Sequence, residues 1–168
     1  MKTMKILLLL LSAVALTSTS HEYDWNSEYF PVLLLRDDLQ QSVENQPPRD
    51  FHQPKKVYLY KQTIFIVEEF EGIHVIDNSN PEDPQKSGFL RIPGCIDVAV
   101  KEDVLYADNA VDLVTIDISN YPSEIKELDR FQDVFPEHTP PDLDYIPSKF
   151  SSRIRPKNTV ITKWEKPE

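Results

Sequence analysis

Short apolar stretches separated by polar turns recur through the middle of the chain, between residues 57 and 133. The stretches in the first half are residues 57–60, 63–67, 73–77 and 88–92. Those in the second half are residues 98–100, 104–107, 113–117 and 126–131. The stretch 64–67 is apolar at every position, a pattern that a strand tolerates when both of its faces are covered. The pattern therefore predicts eight short strands, some of them buried on both faces.

The two halves repeat one another at an offset of 40 residues. Ile76 falls on Ile116, Asp77 on Asp117 and Asn80 on Asn120. No gap is needed over the first half of the repeat, which makes coincidence a poor explanation. Four short strands in about forty residues are typical of a β-propeller blade. We therefore predict an all-β fold, with a partial β-propeller-like array of two four-stranded blades at residues 57–96 and 97–133.

The flanking segments predict smaller elements. In the leader, residues 21–56, an apolar run at 31–35 predicts a strand. Asp37 in the N-cap position and Gln40 three residues later predict a short helix, which Pro47 ends. The tail, residues 134–168, is rich in proline, and only residues 159–164 have the pattern of a final strand. A disordered tail is the alternative.

Two blades leave broad apolar faces uncovered, since about three repeats are normally needed to bury a continuous core. We expect the N-terminal strand and helix and the C-terminal strand to act as caps on these faces, together with self-association. A truncated gene product is the other interpretation.

The first residues have the pattern of a secretory signal. Lys2 and Lys5 precede an apolar run at residues 6–16, which is too short to span a bilayer. Small residues follow at 17–20. We therefore expect residues 1–20 to be a signal peptide and the remainder to be extracytoplasmic (periplasmic, on the cell surface or secreted), without a membrane span after cleavage. A buried N-terminal helix is the alternative, and the charged flank argues against it.

Charge and cysteine content narrow the choice of partners. The formal net charge is −10, with 18 Lys and Arg against 28 Asp and Glu. Nucleic-acid binding requires clustered basic residues, so this balance argues against it. Cys95 is the only cysteine in the sequence, which excludes an intrachain disulfide. The chain has 3 Gly and 14 Pro, so its turns must rely on proline and on Asp, Asn and Ser side chains.

Asp77 and Asp117 end equivalent strands, each before a Ser-Asn pair. Each carboxylate could hold calcium or a substrate, but Asp, Ser and Asn also hydrogen-bond their own backbone to form turns. The turn interpretation is favoured. The same strands do not place the two carboxylates opposite one another, so paired acid–base catalysis is not indicated.

A second acidic cluster surrounds the strand predicted at residues 104–107. It comprises Glu102, Asp103, Asp108 and Asp112. Calcium could use such oxygens, but no EF-hand loop is present and a solvated surface is favoured. The four histidines have no metal-ligand spacing, and no nucleophile or phosphate-binding motif occurs. We therefore expect no cofactor and no enzymatic activity.

The strands at residues 73–77, Ile-His-Val-Ile-Asp, and 113–117, Leu-Val-Thr-Ile-Asp, resemble the LVIVD repeat. The stretches at residues 72–81 and 104–108 are similar to those of exported LVIVD proteins of Bacteroidetes. The resemblance covers residues 31–164 and is most specific at 57–119. It implies a propeller-like all-β fold at the outer envelope or cell surface, and no activity, cofactor or catalytic residue. The chain lacks the lipoprotein cysteine of many members and has fewer repeats, so we expect a short or truncated member.

These observations predict an exported or cell-surface binding or scaffold protein. Its partner would be a protein or glycan, contacted through the loops and one face of the array. Two alternatives are an enzyme with an acidic site at the blade ends and a non-functional fragment of a longer LVIVD protein.

Overall fold

The computed structural model describes residues 27–167, so the signal peptide predicted at residues 1–20 and residues 21–26 of the leader lie outside the described part. The strands are β1 Phe30–Leu35, β2 Glu44–Gln46, β3 Pro54–Tyr60, β4 Thr63–Glu68, β5 Gly72–Asp77, β6 Gln85–Arg91, β7 Val98–Lys101, β8 Val104–Asn109, β9 Asp112–Asp117, β10 Lys126–Phe131 and β11 Thr159–Glu165. The helix α1 is Arg36–Leu39, and a single 3-10 turn spans Ser148–Phe150. No helix in the described range is long and apolar enough to cross a bilayer.

The described part of the chain is all-β, as predicted, and its strands form three antiparallel sheets. The first sheet has the order β2-β6-β5-β4-β3, and the second has the order β10-β9-β8-β7. Apart from β2, each is a simple meander of four consecutive strands, because short turns join sequence neighbours into antiparallel pairs. The terminal sheet pairs β1 with β11. All eight strands predicted between residues 57 and 133 are present.

The first and second sheets pack face to face around one hydrophobic core. The first sheet contributes Phe65, Val67, Ile73, Val75 and Leu90, and the second contributes Val98, Val100, Leu105, Ala107, Val114 and Ile116. Tyr58 supports the contact, since its hydroxyl donates to the carbonyl of Val100 at 3.1 Å. We call the two sheet faces that carry these core residues the inner faces. Side chains alternate along a strand, so the residues between them lie on the opposite, outer faces.

Strand pairing shows that the repeat offset of 40 does not hold throughout. Thr63 pairs with Asp77 in the first sheet, and Val104 pairs with Asp117 in the second. The aspartates are 40 residues apart, as predicted, but their partners are 41 apart. The cause is the turn between the two middle strands, which has three residues, 69–71, in the first sheet and two, Ala110 and Val111, in the second.

The terminal sheet packs at the end of the two larger sheets rather than over their outer faces. A small apolar cluster joins Leu34, Leu39 and Val160 to Ala110 and Val111, which form the turn between β8 and β9. The expectation that these elements cap the outer faces was therefore wrong. Val57 and Leu59, on the outer face of the first sheet, are 67 % and 61 % exposed.

The helix start also differs from the prediction. Leu35, not Asp37, occupies the N-cap position, and no side chain caps the helix. Instead, the Arg36 backbone N–H donates to the carbonyl of Asn158 at 2.8 Å. The β1–β11 pairing sets this position, because the helix follows the last residue of β1 directly. Long-range pairing therefore replaces the local cap.

Candidate functional site

A groove of about 780 Å³ lies on the outer face of the second sheet. Ala99 on β7, Tyr106 on β8 and Leu113 on β9 line it from the sheet side. These residues share the outer face, because Ala99 and Tyr106 are paired and Leu113 pairs with Asp108, two residues after Tyr106. Tyr106 is 38 % exposed. An apolar concave surface with an accessible aromatic ring is typical of a binding site.

The second wall of the groove is the segment 135–139, which belongs to the proline-rich tail. The Phe135 backbone N–H donates to the carbonyl of Val111 at 2.9 Å, which fixes the start of the segment. His138 Nε2 donates to the carbonyl of Gly94 at 3.0 Å. Trp164 on β11 donates from Nε1 to the carbonyl of His138 at 2.8 Å. The wall is therefore held by the sheets on both sides.

The groove is acidic. The described residues that line it include four carboxylates and no Lys or Arg. The carboxylates are Asp97, Asp108, Glu137 and Asp144. Asp97 pairs with Lys56 at 2.6 Å, and Glu137 pairs with Arg155. A concave site lined by one sign of charge attracts ligands of the other sign. The lining therefore favours a ligand with apolar groups and positive charge.

Asp108 is the carboxylate predicted from sequence that lies in this groove. Its side chain accepts hydrogen bonds from the backbone N–H groups of Ile96, at 2.9 Å, and Asp97, at 2.7 Å. Burial raises the pKa of Asp108, although these two N–H groups act in the opposite direction. The contacts hold the segment that enters β7, so Asp108 shapes one end of the groove.

Asp77 and Asp117 occupy equivalent turns, as the repeat predicted. Asp77 accepts the Ser79 backbone N–H at 2.8 Å, and Asp117 accepts the Ser119 backbone N–H at 2.9 Å. The backbone N–H of Ser79 lowers the pKa of Asp77, and the hydroxyl and N–H of Ser119 lower that of Asp117. Both geometries are those of Asx turns, the arrangement expected where glycine is scarce.

Asp103 and Asp112 are separated from the groove. Asp103 pairs with Lys61 at 2.7 Å on the surface. Asp112 is fully buried between Arg36, at 3.0 Å, and Arg130, at 3.1 Å. Asp112 is paired with Asn109, whereas Asp108 is paired with Leu113, so the two aspartates lie on opposite faces of the sheet. The acidic cluster predicted from sequence therefore does not converge on one point.

Across residues 27–167 there is no group of three or more His, Cys, Asp or Glu side chains that could hold a metal ion. Cys95, the remaining candidate for chemistry, is buried. Burial, with the negative charge of Asp108 nearby, raises the pKa of its thiol well above the ordinary value.

The sequence interpretation missed two features. The groove could not be predicted because its second wall comes from the tail. The sequence of this segment shows only a proline-rich composition, which does not indicate where the segment packs. The second feature is the buried pair of Glu68 and His74, whose side chains meet at 2.9 Å. In the sequence pattern, residues 68–72 fall in the polar turn between the strands predicted at 63–67 and 73–77. A glutamate directly after four apolar strand residues, with a histidine on the next strand, was the available signal.

No protein-family model, curated protein or solved structure matches the chain significantly. The observed architecture therefore defines the class of protein by itself, as an all-β protein of two packed four-stranded meanders, closed at one end by a terminal sheet and carrying one acidic, apolar groove.

Proposed function

We propose that the chain is an exported binding or scaffold protein that presents its groove to a protein partner outside the cytoplasm. The export component rests on the signal-like residues 1–20, and the surface role on the resemblance to LVIVD proteins. In this proposal the two meanders are neighbouring blades of a partial propeller-like array. The simple β3–β6 and β7–β10 strand orders support it, because a propeller blade is a four-stranded meander.

The observation that carries the binding role is the groove beside Tyr106. Its sheet-side lining is apolar, the aromatic residues Tyr106 and Phe135 are each 38 % exposed, and its charged lining residues are carboxylates. A protein segment with alternating apolar and basic side chains matches both properties. A neutral glycan could stack on Tyr106 and Phe135, but it would bring no positive charge to the four carboxylates of the lining. The lining therefore favours a protein over a glycan.

The catalytic alternative receives less support from the same residues. Asp77 and Asp117 are engaged by the backbones of their own turns, and Asp112 is enclosed by two arginines. An acidic catalytic site needs a carboxylate that reaches substrate with a second group placed to assist it. The contacts of these three carboxylates are therefore structural.

The test is a titration of the protein with short peptides of opposite charge. The probes are acetyl-Lys-Leu-Lys-Phe-Lys-amide, the same peptide with glutamate in place of lysine, and a chitin oligosaccharide. We expect saturable binding of the basic peptide, weakened at least tenfold by Ala99→Arg, which fills the groove and adds a positive charge to it. Ile154→Arg, at an exposed apolar position away from the groove, is the matched control. Equal binding of both peptides, or binding of the oligosaccharide alone, would refute the proposed protein-binding role.

A further inference from the structure

In the part of the chain that the structure describes, the two packed sheets leave an accessible surface at each end of the array, on the outer face of the first sheet and in the groove beside the segment 135–139 on the second. Strand pairing shows which residues of the first sheet correspond to which residues of the second. Tyr60 pairs with Thr63, and Lys101 pairs with Val104, so β3 and β4 correspond to β7 and β8 with an offset of 41 residues. Val57 of the first sheet therefore corresponds to Val98 of the second, and Leu59 corresponds to Val100.

Corresponding residues are buried in one sheet and exposed in the other. Val98 and Val100 are 6 % and 5 % exposed, since they pack against the first sheet. Val57 and Leu59 are 67 % and 61 % exposed. When the two sheets are matched residue by residue, the outer face of the first sheet therefore corresponds to the inner face of the second. It has the composition of a buried interface but no partner within the described chain.

The outer face of the second sheet has the reciprocal relationship. Ala99 and Tyr106 correspond to Tyr58 and Phe65, which pack on the second sheet at the internal contact. Alanine replaces the larger tyrosine, and the groove begins at this position. The groove therefore lies where the internal contact would place the β7 side of a following sheet. The smaller residue leaves room for branched side chains from β3.

The accessible areas of the two faces also coincide. On the first sheet, Phe51 covers His74, with ring centroids 4.3 Å apart, and Arg49 lies 3.7 Å over the ring of Phe89. These contacts cover the β5–β6 half and leave the β3–β4 half open. On the second sheet the groove lies over β7 and β8. The open halves thus contain β3 and β7, the strands that Tyr58 and Val100 join at the internal contact.

We infer that the partner of the groove is a second copy of this chain, whose β3 residues Val57 and Leu59 insert beside Ala99 and Tyr106. This inference rests on the binding role proposed for the groove. The contact is head to tail, because each copy presents a different face to its neighbour. Such contacts close into rings when the rotation allows, and two to four copies would supply four to eight sheets, the range of most propellers.

The first experiment measures the mass of the purified chain by light scattering across a concentration series. We expect an oligomer of two to four 19.5 kDa chains. Leu59→Arg and Ala99→Arg each block one side of the contact and should reduce the mass at a given concentration. Ile154→Arg, at a position that is 70 % exposed, should leave it unchanged. Circular dichroism verifies that each variant is folded.

The decisive experiment mixes the two blocked variants. Leu59→Arg retains an intact groove, and Ala99→Arg retains an intact β3 face. A head-to-tail contact therefore predicts a 1:1 heterodimer that neither variant forms alone. A symmetric contact through β3 alone would instead leave Ala99→Arg fully associated and would overturn the inference. An oligomer that neither substitution affects would overturn it as well.

The peptide titration separates this inference from the proposed function. A wild-type protein that remains monomeric to about 200 µM, a weak-affinity limit near 5 kcal/mol, overturns the self-association. If the basic peptide still binds and Ala99→Arg still weakens it, the groove remains a binding site for another protein. If both association and peptide binding are absent, the proposed function fails together with the inference.

Discussion

His74 Nε2 lies 2.9 Å from Glu68 Oε2, and both side chains are 1 % exposed. The two residues join neighbouring strands, β4 and β5, on the outer face of the first sheet. Phe51 and Phe89 pack on the imidazole from either side, with ring centroids 4.3 and 4.9 Å away. The carboxylate also accepts backbone N–H groups from His52 and Gln53, so the pair ties the leader to the sheet.

This pair makes the stability of the protein depend on pH. Burial lowers the pKa of His74, and Glu68 only partly offsets it, while Arg49 and Lys86 lower it further. Burial alone would raise the pKa of Glu68, but the Gln53 N–H and His74 outweigh burial and lower it. The unfolded chain therefore binds protons more tightly at both groups. The contribution of the pair to the free energy of unfolding should be fully present above about pH 6.5. It should be lost as the pH falls through the folded pKa of His74.

Urea denaturation at pH 7.5 and pH 5.5 measures this loss. His74→Gln retains a hydrogen-bond donor for Glu68 but does not titrate, so it should lose less stability over the same interval. The other histidines are present in both proteins and cancel in the comparison. Equal losses in the two proteins would show that the pair does not control the pH dependence.

An ion pair in the core should contribute more to stability than one at the surface. Asp112 is buried between Arg36 and Arg130, and it also accepts the Asp133 backbone N–H at 3.1 Å. Each arginine has a further carboxylate partner, Asp133 for Arg36 and Glu127 for Arg130. Asp112→Asn still removes the buried counter-charge that the two arginines share, and we expect a loss of about 3 kcal/mol. Asp103 pairs with Lys61 at the surface, so Asp103→Asn should cost less than about 1 kcal/mol.

Chemical denaturation of the two variants at low and high salt measures both values. Salt should reduce the small Asp103 contribution and leave the large Asp112 contribution nearly unchanged, because buried pairs are screened less. A loss of similar size for both substitutions would contradict the assignment of Asp112 as a structural carboxylate.

Gly72 begins β5 with a φ of +146°, and a Cβ at this position would lie 2.0 Å from the carbonyl oxygen of Leu90. That oxygen belongs to the neighbouring strand and cannot move without breaking the ladder. We expect Gly72→Ala to cost about 3 kcal/mol or more, measured as a drop in the free energy of unfolding.

Gly88→Ala is the matched comparison, since its Cβ would meet the Tyr121 hydroxyl, a side-chain atom, at 1.9 Å. Because a side chain can rotate away, this substitution should cost less, and its cost should fall further in a Tyr121→Ala background. Equal costs for the two glycine substitutions would contradict this distinction between backbone and side-chain contacts.

Cys95 should react slowly with thiol reagents in the folded protein. Its side chain is buried, Sγ lies 3.4 Å from the Asp97 carbonyl, and burial raises the thiol pKa well above its ordinary value. Iodoacetamide labelling followed by mass spectrometry should be slow at pH 8 and accelerate in urea, because the thiolate is the reactive form. Fast labelling of the folded chain would show that the region around β7 opens readily.

Regular strands were predictable from sequence because their signal is local. The stretch that ends at Asp77 and the one that ends at Asp117 were recognised by their apolar run and by the Ser-Asn turn that follows. The same local logic failed for β2, residues Glu44–Gln46. Its polar side chains carry no strand pattern, and it pairs with β6 through backbone groups, supplemented by a partly exposed ion pair between Glu44 and Arg91. Backbone pairing of this kind leaves no mark on composition.

The one-residue difference in repeat offset could not be seen in the sequence, for a different reason. Residues 64–67 and 104–107 are apolar or aromatic throughout, so sliding one stretch against the other by one position still matches apolar with apolar. A slip of one residue nevertheless exchanges the two faces of a strand. The faces on which Ala99 and Tyr106 lie could therefore be assigned only from the strand pairing.

The pairing of β1 with β11 determines the order in which the protein can assemble during synthesis. Thr162 Oγ1 donates to the carbonyl of Val32, 130 residues earlier in the chain. Both large meanders join sequence neighbours and can form as soon as residue 131 has left the ribosome, whereas β1 must wait until β11, Thr159–Glu165, has also been made. A chain that is secreted while being made would thus emerge with β1 unpaired, exposed to chaperones until β11 arrives.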